Sequence, residues 1–438
     1  MKLTFVGAGS TVFVKNIIGD LMLMKDLGSF EVALYDISEE RLRFSETILK
    51  NLAKKLSADV RFTAYCGVEN RKEALRGAKY VFNAIQVGGY KPCTVTDFEI
   101  PKKYGLSQTI ADTMGIGGIF RALRSIPVVM EIVRDMEEVC PDAYFLNYAN
   151  PMAMITGYVQ RHSSIRTIGL CHSVQVCAYF LLKSLGMDEY AENCLWEIAG
   201  INHMAWLLKI TDMQGNDLYP EIKRRYASYN GQYEIRHDLV RLDMMQRFGY
   251  YITESSEHNA EYHPYFLKSK YPELVKRYNI PIDEYLRRCE VQIKEWDELM
   301  QKTLMGENLT HSPSREYGAK IVYAIEKDKP IRVHGNVLNK NLITNLPFDA
   351  CVEVPVMVDG NGFNPCYVGA LPEQCACLNR TNINVQNLTI KAAESRKRED
   401  VYMAAYLDPH LCSELSLDDI KSLCDDMIEA HKGWIEIE

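Results

Sequence analysis

The sequence of 438 residues lacks any apolar run that approaches the roughly 20 residues needed for a membrane-spanning helix. It also lacks an excess of basic residues, because 50 Lys and Arg stand against 58 Asp and Glu, for a net charge of −8. That balance argues against nucleic acid or an anionic membrane surface as a partner. It contains no low-complexity tract. The sequence therefore predicts a globular protein with neither a membrane span nor a nucleic-acid partner.

A disulfide framework is also missing. The 13 cysteines are an odd number and show no regular spacing, which favours a reduced compartment. The first residues lead directly into a strand pattern, so no signal peptide is predicted. We therefore expect a cytoplasmic protein. With 47% apolar residues, the chain has enough material for two large lobes with a substantial core.

Strand and helix patterns alternate over the first 150 residues. This alternation predicts an α/β fold with a Rossmann-type, doubly wound parallel sheet and helices on both faces. The predicted strands are 2–6, 30–35, 60–64, 80–86, 144–148 and 167–170, and the predicted helices are 12–24, 39–56, 71–75 and 118–139.

A glycine-rich turn at residues 7–11 joins the first predicted strand to the first predicted helix. In that position, backbone N–H groups at the helix N-terminus can hold a dinucleotide pyrophosphate. Val12 replaces the third glycine of the usual motif. Asp36, at the end of the second strand, can accept hydrogen bonds from a ribose and would repel a 2′-phosphate, which favours NAD over NADP. A tight turn that binds nothing is the alternative. The residues predicted here to bind NAD are Gly7, Gly9, Ser10, Thr11 and Asp36.

From about residue 195 the pattern changes to a mixed α+β lobe. Strands are predicted at 195–202 and 205–210 around a turn at His203, and strands 352–358 and 367–371 flank a loop that begins at Asp359. Long helices are predicted at 236–248, 283–304 and 417–431. We therefore assign residues 1–190 to an NAD-binding, Rossmann-like domain. Residues 191–438 would form an α+β domain for substrate, metal and oligomerisation, in an arrangement like that of lactate and malate dehydrogenases.

Possible metal ligands lie far from the glycine turn in sequence. Cys171 follows a predicted strand and precedes a helix, a position that lowers the pKa of a thiol. With His203 it could form a Cys/His pair with open coordination positions, although two ordinary core residues are the alternative. The carboxyl ends of parallel strands share one edge of a sheet, and ligands collect there. We expect this edge to bring together Gly7, Asp36, Gln86, Asn150 and Cys171.

Several segments resemble the NAD- and metal-dependent glycoside hydrolases of family four, which do not follow the two-carboxylate rule of most glycosidases. The resemblance covers nearly the whole chain. Its blocks are residues 7–13, 86–90, 115–118, 147–151, 171–175 and 200–203. Within the family the chain is most similar to the α-galactosidase (melibiase) branch, on residues 92–98, 108–113 and 254–258. Val176 departs from the pattern, which has glycine there.

The resemblance implies a role for each matching position. Cys171 and His203 would hold a divalent ion, most simply Mn²⁺. His172 would be the acid and Tyr262 the base, with Tyr265 as the alternative base. The remaining assignments are substrate contacts at Asn150 and Asp112, and a further NAD contact at Gln86.

The implied reaction is hydrolysis of terminal α-galactosides such as melibiose. It proceeds by transient oxidation at C3, removal of the C2 proton, elimination of the leaving group and addition of water. In branches that act on phosphorylated sugars, Asp or Asn follows the metal-binding cysteine, so His172 indicates an unphosphorylated sugar. Family habit implies a homodimer or homotetramer.

Four alternatives stay open. Two are a family-four α-glucosidase and a family-four uronidase, the latter with a basic residue facing C6 of the sugar. The third is an NAD-dependent 2-hydroxyacid dehydrogenase, which would need no metal. The fourth is a non-catalytic protein that binds sugar or NAD and releases no product.

Overall fold

The structure, a computed structural model, describes residues 1–304 and 310–438. One mixed sheet forms its centre. The strands in these ranges are β1 Lys2–Val6, β2 Phe30–Asp36, β3 Val60–Cys66, β4 Tyr80–Asn83, β5 Tyr144–Asn147, β6 Arg166–Gly169, β7 Cys194–Ile201, β8 Met204–Asp212, β9 Tyr251–Ile252, β10 Ile331–Leu338, β11 Cys351–Asp359 and β12 Gly362–Pro365.

Helices cover both faces of the sheet. They are α1 Thr11–Leu23, α2 Glu39–Leu56, α3 Arg71–Leu75, α4 Val95–Lys103, α5 Gly115–Val139, α6 Met152–His162, α7 Ser173–Ser184, α8 Asp188–Ala191, α9 Tyr219–Ala227, α10 Leu239–Phe248, α11 Ser256–Glu261, α12 Glu273–Arg277, α13 Glu284–Leu304, α14 Gly318–Lys327, α15 Glu373–Ser395, α16 Arg398–Tyr406, α17 Pro409–Glu414 and α18 Leu417–Ala430.

The first six strands are parallel neighbours in the order β3-β2-β1-β4-β5-β6. This is the strand order of a dinucleotide-binding doubly wound sheet. The predicted fold class is therefore confirmed. All six strands end at the same edge, where the loops that follow them meet.

Helix α2 shows why some sequence-based boundaries in this half were accurate. Its apolar side chains at Leu42, Leu49 and Leu52 are buried on one face. The helix begins with two glutamates and ends with two lysines, as its dipole favours. Ser57 closes it in a left-handed conformation. The predicted range 39–56 and the observed one are identical.

The second half continues the same sheet. Strand β10 runs antiparallel to β6, paired through Asn336 and Gly169, and β11 pairs with β7 through Glu353 and Gly200. The full order is β3-β2-β1-β4-β5-β6-β10-β11-β7-β8-β9, with β12 beside β11. Because one sheet runs through both halves, the strand order does not test the predicted domain boundary between residues 190 and 191, which stays a prediction.

Some predicted elements were wrong. Residues 367–371 do not form the second hairpin strand, because the chain reverses at once after Asp359 and β12 begins at Gly362, whose φ is +96°. Strand β4 ends at Asn83, so Gln86 lies in the loop beyond it. Helix α15 was missed because polar side chains such as Asn379 and Gln386 are buried along it and obscure the apolar stripe.

The apolar core fills both sides of the sheet, and a smaller cluster packs around α7, β8 and α10. In that smaller cluster, Leu181, Leu207 and Met245 are fully buried. Across residues 1–304 and 310–438, none of the helices has the length and apolarity to cross a bilayer. The small cluster anchors α7, whose N-terminus carries part of the candidate site.

Candidate active site

Three side chains of metal-ligating type meet beyond the ends of β6, β7 and β9. Cys171 lies between β6 and α7, His203 lies in the turn between β7 and β8, and Glu254 follows β9. Their ligand atoms lie within 4.8 Å of one another. Oε2 of Glu254 is 4.0 Å from Sγ of Cys171 and 3.7 Å from Nε2 of His203. A thiol, an imidazole and a carboxylate form a donor set that suits a divalent transition metal.

Backbone conformation at this cluster is unusual. His203 has φ of +62° and Glu254 has φ of +66°, whereas side chains other than glycine, Asn and Asp seldom adopt positive φ. Ala111, beside Asp112, has φ of +51°. Such conformations cost about 1–3 kcal/mol each and persist where the surroundings enforce them, often at functional sites. The turn between Ile201 and Met204 leaves room for only two residues, which forces His203 into this region.

The orientation of His203 is fixed by Tyr262. The hydroxyl of Tyr262 is 2.9 Å from Nδ1 of His203, and the two ring planes differ by only 4°. Nε2 therefore faces Glu254, on the cluster side. Burial lowers the pKa of His203 to about 4, so the imidazole is neutral at pH 7 and can act as a ligand.

The pKa of Cys171 differs from the sequence-based expectation. A position before a helix predicted a lowered pKa, and that prediction was wrong. Burial, followed by the charges of Glu254 and Glu353, raises the thiol pKa well above 9. A bound cation is what would make the thiolate available here.

A second polar group surrounds His258, next to the metal cluster. Nε2 of His258 is 3.5 Å from Oδ1 of Asp112, and Nδ1 is 3.5 Å from Oε1 of Glu254. Burial opposes the charged imidazole, but Glu254 and Asp112 raise the His258 pKa to about 9. Asn150 donates from Nδ2 to Oδ2 of Asp112 at 3.1 Å. This network brings the two predicted substrate-binding residues, Asn150 and Asp112, into direct contact.

Asn150 also offers an unused acceptor. Within the described residues, its Oδ1 atom is buried without a hydrogen-bond partner. A buried unpaired oxygen is costly, and a hydroxyl donor from a ligand would satisfy it. The loop that carries Asp112 is held by close packing against α5, since a Cβ at Gly118 would lie 2.4 Å from the carbonyl carbon of Thr113.

The predicted acid and base occupy different environments. His172 precedes α7 with 62% of its side chain exposed, and its Nδ1 is 3.9 Å from Oε1 of Glu316. Tyr262 is buried, and this burial together with Asp112 and Glu261 raises its pKa well above 10. Tyr265 is 44% exposed and stacks on Phe248, so of the two tyrosines it is Tyr262 that contacts the cluster.

The glycine turn has the shape expected of a dinucleotide cradle. Gly7 has φ of +88°, and a Cβ there would lie 2.8 Å from the carbonyl oxygen of Ala84, so only glycine fits. The amide of Gly9 donates to Oδ2 of Asp36 at 2.6 Å. Within the described residues, the side chain of Ser10 does not cap α1. The first-turn amides of α1 therefore suit a phosphate.

The other predicted NAD contacts lie around this cradle. The hydroxyl of Thr11 lies 2.9 Å from that of Ser45 and accepts from Nε1 of Trp296 at 3.1 Å. Nε2 of Gln86 donates to the hydroxyl of Thr94 at 3.1 Å. Gly7, Asp36, Gln86, Asn150 and Cys171 all follow, or end, adjacent parallel strands at one edge of the sheet.

Sequence reasoning missed Glu254 as a metal ligand. It belongs to residues 254–258, which carried part of the family resemblance, but it follows a strand of only two residues, Tyr251–Ile252. A strand that short leaves no periodic pattern to place the next side chain. The resemblance itself was the available signal.

Comparison with known proteins agrees with this geometry. The family profile "Family 4 glycosyl hydrolase" matches residues 2–187, and "Family 4 glycosyl hydrolase C-terminal domain" matches residues 198–411. The chain is 56% identical over 434 residues to an alpha-galactosidase of Bacillus subtilis strain 168. The matched region covers 99% of this chain and 99% of that protein. It is 32% identical over 449 residues to an alpha-galactosidase of Rhizobium meliloti strain 1021, over 99% of this chain and 89% of that protein.

A solved structure with the same fold is a 6-phospho-alpha-glucosidase from gut microorganisms, in complex with NAD and Mn²⁺. It superimposes with a TM-score of 0.82 at 22% identity, over 100% of this chain and 99% of that one. At this level of identity the likeness concerns the fold.

Proposed function

The chain belongs to glycosyl hydrolase family 4, and we propose that, as a glycosidase of this family, it hydrolyses terminal α-galactosides such as melibiose. The observation that carries the proposal is the 56% identity, along 99% of both chains, with a protein named alpha-galactosidase. The cluster of Cys171, His203 and Glu254 beyond the sheet edge supports a metal-dependent enzyme of this family, because an NAD-dependent 2-hydroxyacid dehydrogenase would need no such donor set.

We propose NAD and Mn²⁺ as the cofactors. The cradle at Gly7, Gly9 and α1 fits the pyrophosphate, and Asp36 fits a ribose without a 2′-phosphate. Cys171, His203 and Glu254 fit the metal. When bound, the nicotinamide would accept and return a hydride at C3, and the metal would act as a Lewis acid on the C2 and C3 oxygens.

The residues around His258 would orient the sugar. Asn150 Oδ1 is placed to accept from a hydroxyl of the substrate, while Asp112 holds the Asn150 amide in position. His258 links Asp112 to Glu254, so the metal cluster and the sugar-binding group share one network. Preorganisation of this kind fixes the ring relative to the reacting atoms.

Tyr262 would take the proton from C2. If His203 ligates through Nε2, its remaining proton is on Nδ1, so His203 would donate to the Tyr262 oxygen. A donated hydrogen bond and a nearby cation both favour the phenolate, against the burial that raises its pKa.

His172 would act on the oxygen of the glycosidic bond, as the acid that assists the leaving group. Its exposed imidazole can give a proton to the leaving oxygen as the bond between C1 and that oxygen breaks. The exposure also allows it to regain a proton from solvent. Water then adds at C1, and no net oxidation occurs.

We favour a neutral galactoside over a galacturonide, because the relative with 56% identity along the chain is named alpha-galactosidase.

We further propose a homodimer or homotetramer located in the cytoplasm, with residues 1–190 serving the cofactor and residues 191–438 completing the site. Sedimentation of the purified protein measures its oligomeric state. A mass equal to one chain would contradict it.

The test of function is release of p-nitrophenol from the aryl α-galactoside by the purified chain, with NAD and Mn²⁺ each omitted in turn. We expect turnover only when both are supplied. The matched aryl α-glucoside and α-galacturonide serve as specificity controls. Turnover that persists without both cofactors, or faster hydrolysis of either control, would contradict the proposal.

A further inference from the structure

A second feature adjoins the candidate active site. An open cavity of about 150 Å³ lies along α7 and shares His172 and Glu254 with that site. Neither the glycine cradle nor the residues around Asp112 contribute to its walls. Besides His172 and Glu254, its walls include Val176, Phe180, Arg241 and Ser255.

One wall of this cavity is a stripe along α7. His172, Val176 and Phe180 are spaced four residues apart, which places them above one another on a single helix face. Phe180 is 49% exposed, so part of its ring is accessible to a ligand in the cavity. The ring of Tyr179 packs edge-on against it at 5.2 Å, and the guanidinium of Arg315 lies 5.3 Å from its centroid. These contacts fix the ring of Phe180 at the cavity.

The facing wall is polar. Arg241 is held by Asp238 and lies 4.7 Å from the ring centroid of Tyr251. The hydroxyl of Ser255 is 3.0 Å from Nδ1 of His258. A cavity with an aromatic ring on one side and hydrogen-bonding groups on the other suits a hydroxylated ring, whose C–H faces are apolar and whose edges are polar.

We propose that this cavity is the subsite for the leaving group, and that Phe180 packs against the ring when the leaving group is a sugar. The inference rests on the proposed function, because a proton given by His172 to the leaving oxygen requires the leaving group to lie next to His172. This cavity adjoins His172, which forms part of its wall. Phe180, two helical turns farther along α7, therefore contributes to specificity for the leaving group and touches none of the reacting atoms.

The experiment compares two α-galactosides that differ only in the leaving group. Melibiose leaves a whole sugar, whereas α-galactosyl fluoride leaves a single atom that cannot reach Phe180. The full chain with NAD and Mn²⁺ is assayed as wild type, Phe180→Ala, Phe180→Trp and the matched control Tyr367→Ala. Tyr367 is a suitable control because it is an aromatic side chain with 71% exposure and is not part of the cavity wall.

We expect Phe180→Ala to lower kcat/KM for melibiose roughly tenfold, the size of one lost ring contact. For the fluoride, kcat/KM should fall less than twofold, which also shows that the variant is folded. Phe180→Trp keeps an aromatic face and should retain most of the melibiose activity. Tyr367→Ala should resemble wild type on both substrates.

Equal losses on the two substrates, or no loss on melibiose, would overturn the subsite. A change of native mass in Phe180→Ala with equal losses would assign the ring to contact with a second copy of the chain, and would also overturn it. If the wild type releases neither fluoride nor galactose, the proposed function itself fails. If it hydrolyses the fluoride and Phe180→Ala does not discriminate, only the subsite fails.

Discussion

The hydroxyl of Tyr262 lies 2.9 Å from Nδ1 of His203, while Nε2 of the same ring faces the carboxylate of Glu254 at 3.7 Å. One imidazole thus connects the proposed base to the proposed metal ligands. A cation bound at Nε2 would therefore act on Tyr262 through the imidazole ring of His203. In the proposed mechanism Tyr262 therefore has two separable tasks, which are to orient His203 and to remove a proton.

Tyr262→Phe separates those tasks. Loss of the hydroxyl leaves Nδ1 of His203 without its partner, so we expect Mn²⁺ retention to weaken roughly 10–100-fold, in addition to lost turnover. Metal content after dialysis, measured by mass spectrometry, checks this. Tyr265→Phe is the matched control, and NAD affinity should not change in either variant. Unchanged metal retention in Tyr262→Phe would limit this residue to proton transfer.

Cys171→Ser should weaken Mn²⁺ retention far more than NAD affinity, because an alcohol is a poor substitute for a thiolate ligand. Glu254→Gln should do the same through the loss of a charged oxygen. Isothermal titration with Mn²⁺ and with NAD measures the two affinities separately. Cys412→Ser, at an exposed thiol, is the control. Equal losses of both affinities would mean that Cys171 supports the fold instead.

Asp36→Asn should reduce the preference for NAD over NADP roughly tenfold or more, since the neutral amide no longer repels a 2′-phosphate. Its effect on Mn²⁺ retention should be small. The control is Asp26→Asn, at an exposed carboxylate outside the cradle. Turnover at varied concentrations of each dinucleotide gives the ratio. A ratio equal to that of wild type would remove Asp36 from the ribose site.

His172→Asn should lower kcat/KM most for those substrates whose leaving groups depart poorly. We expect a loss of about 100-fold or more on melibiose, whose leaving oxygen needs a proton. The aryl α-galactoside should suffer much less, because p-nitrophenolate departs without one. The ratio of kcat/KM between the two substrates is the measurement. Equal losses on both would contradict the role of an acid.

Acid should destabilise the fold through buried neutral histidines. Burial lowers the pKa of His334 to about 4 and that of His263 to about 3. In the unfolded chain these imidazoles take up protons near pH 6.5, so the contribution of each to the free energy of unfolding should fall as the pH drops from about 6.5 towards 4. At full titration His334 contributes up to about 3 kcal/mol and His263 up to about 5 kcal/mol.

Denaturant unfolding at pH 7.5, 6 and 5 measures that decline. His334→Gln should show a smaller decline than wild type, since its side chain does not titrate. An identical decline in wild type and His334→Gln would show that His334 is already protonated in the folded chain at these pH values.

The sequence predicted the parallel half of the fold because most of its strands, such as β1 and β4, are short apolar runs that are largely buried. Lys2–Val6 and the helix Glu39–Leu56 were located to the residue. Helix α15 was not predicted, because buried Asn and Gln side chains along it, such as Asn379, find partners only in the folded chain. The periodicity of apolar residues predicts a helix where apolar side chains are buried and polar ones are exposed. It fails where polar side chains are buried.

For the site, residue type and position made Cys171 and His203 candidates, and the family resemblance was needed to select them as metal ligands. Glu254 is a common residue type in a loop, and its place beside them depends on how β9 pairs with β8, a contact distant in sequence. The high pKa of Cys171 could not be foreseen either, since the carboxylates of Glu254 and Glu353 reach it only through the tertiary fold.

The sheet that continues from β6 into β10 has a mechanical consequence. Because strand hydrogen bonds join the two halves, one half cannot rotate away from the other without breaking those bonds. A sugar must therefore enter and leave by rearrangement of loops and side chains around a rigid frame. We therefore expect no rotation of one half against the other when a substrate binds.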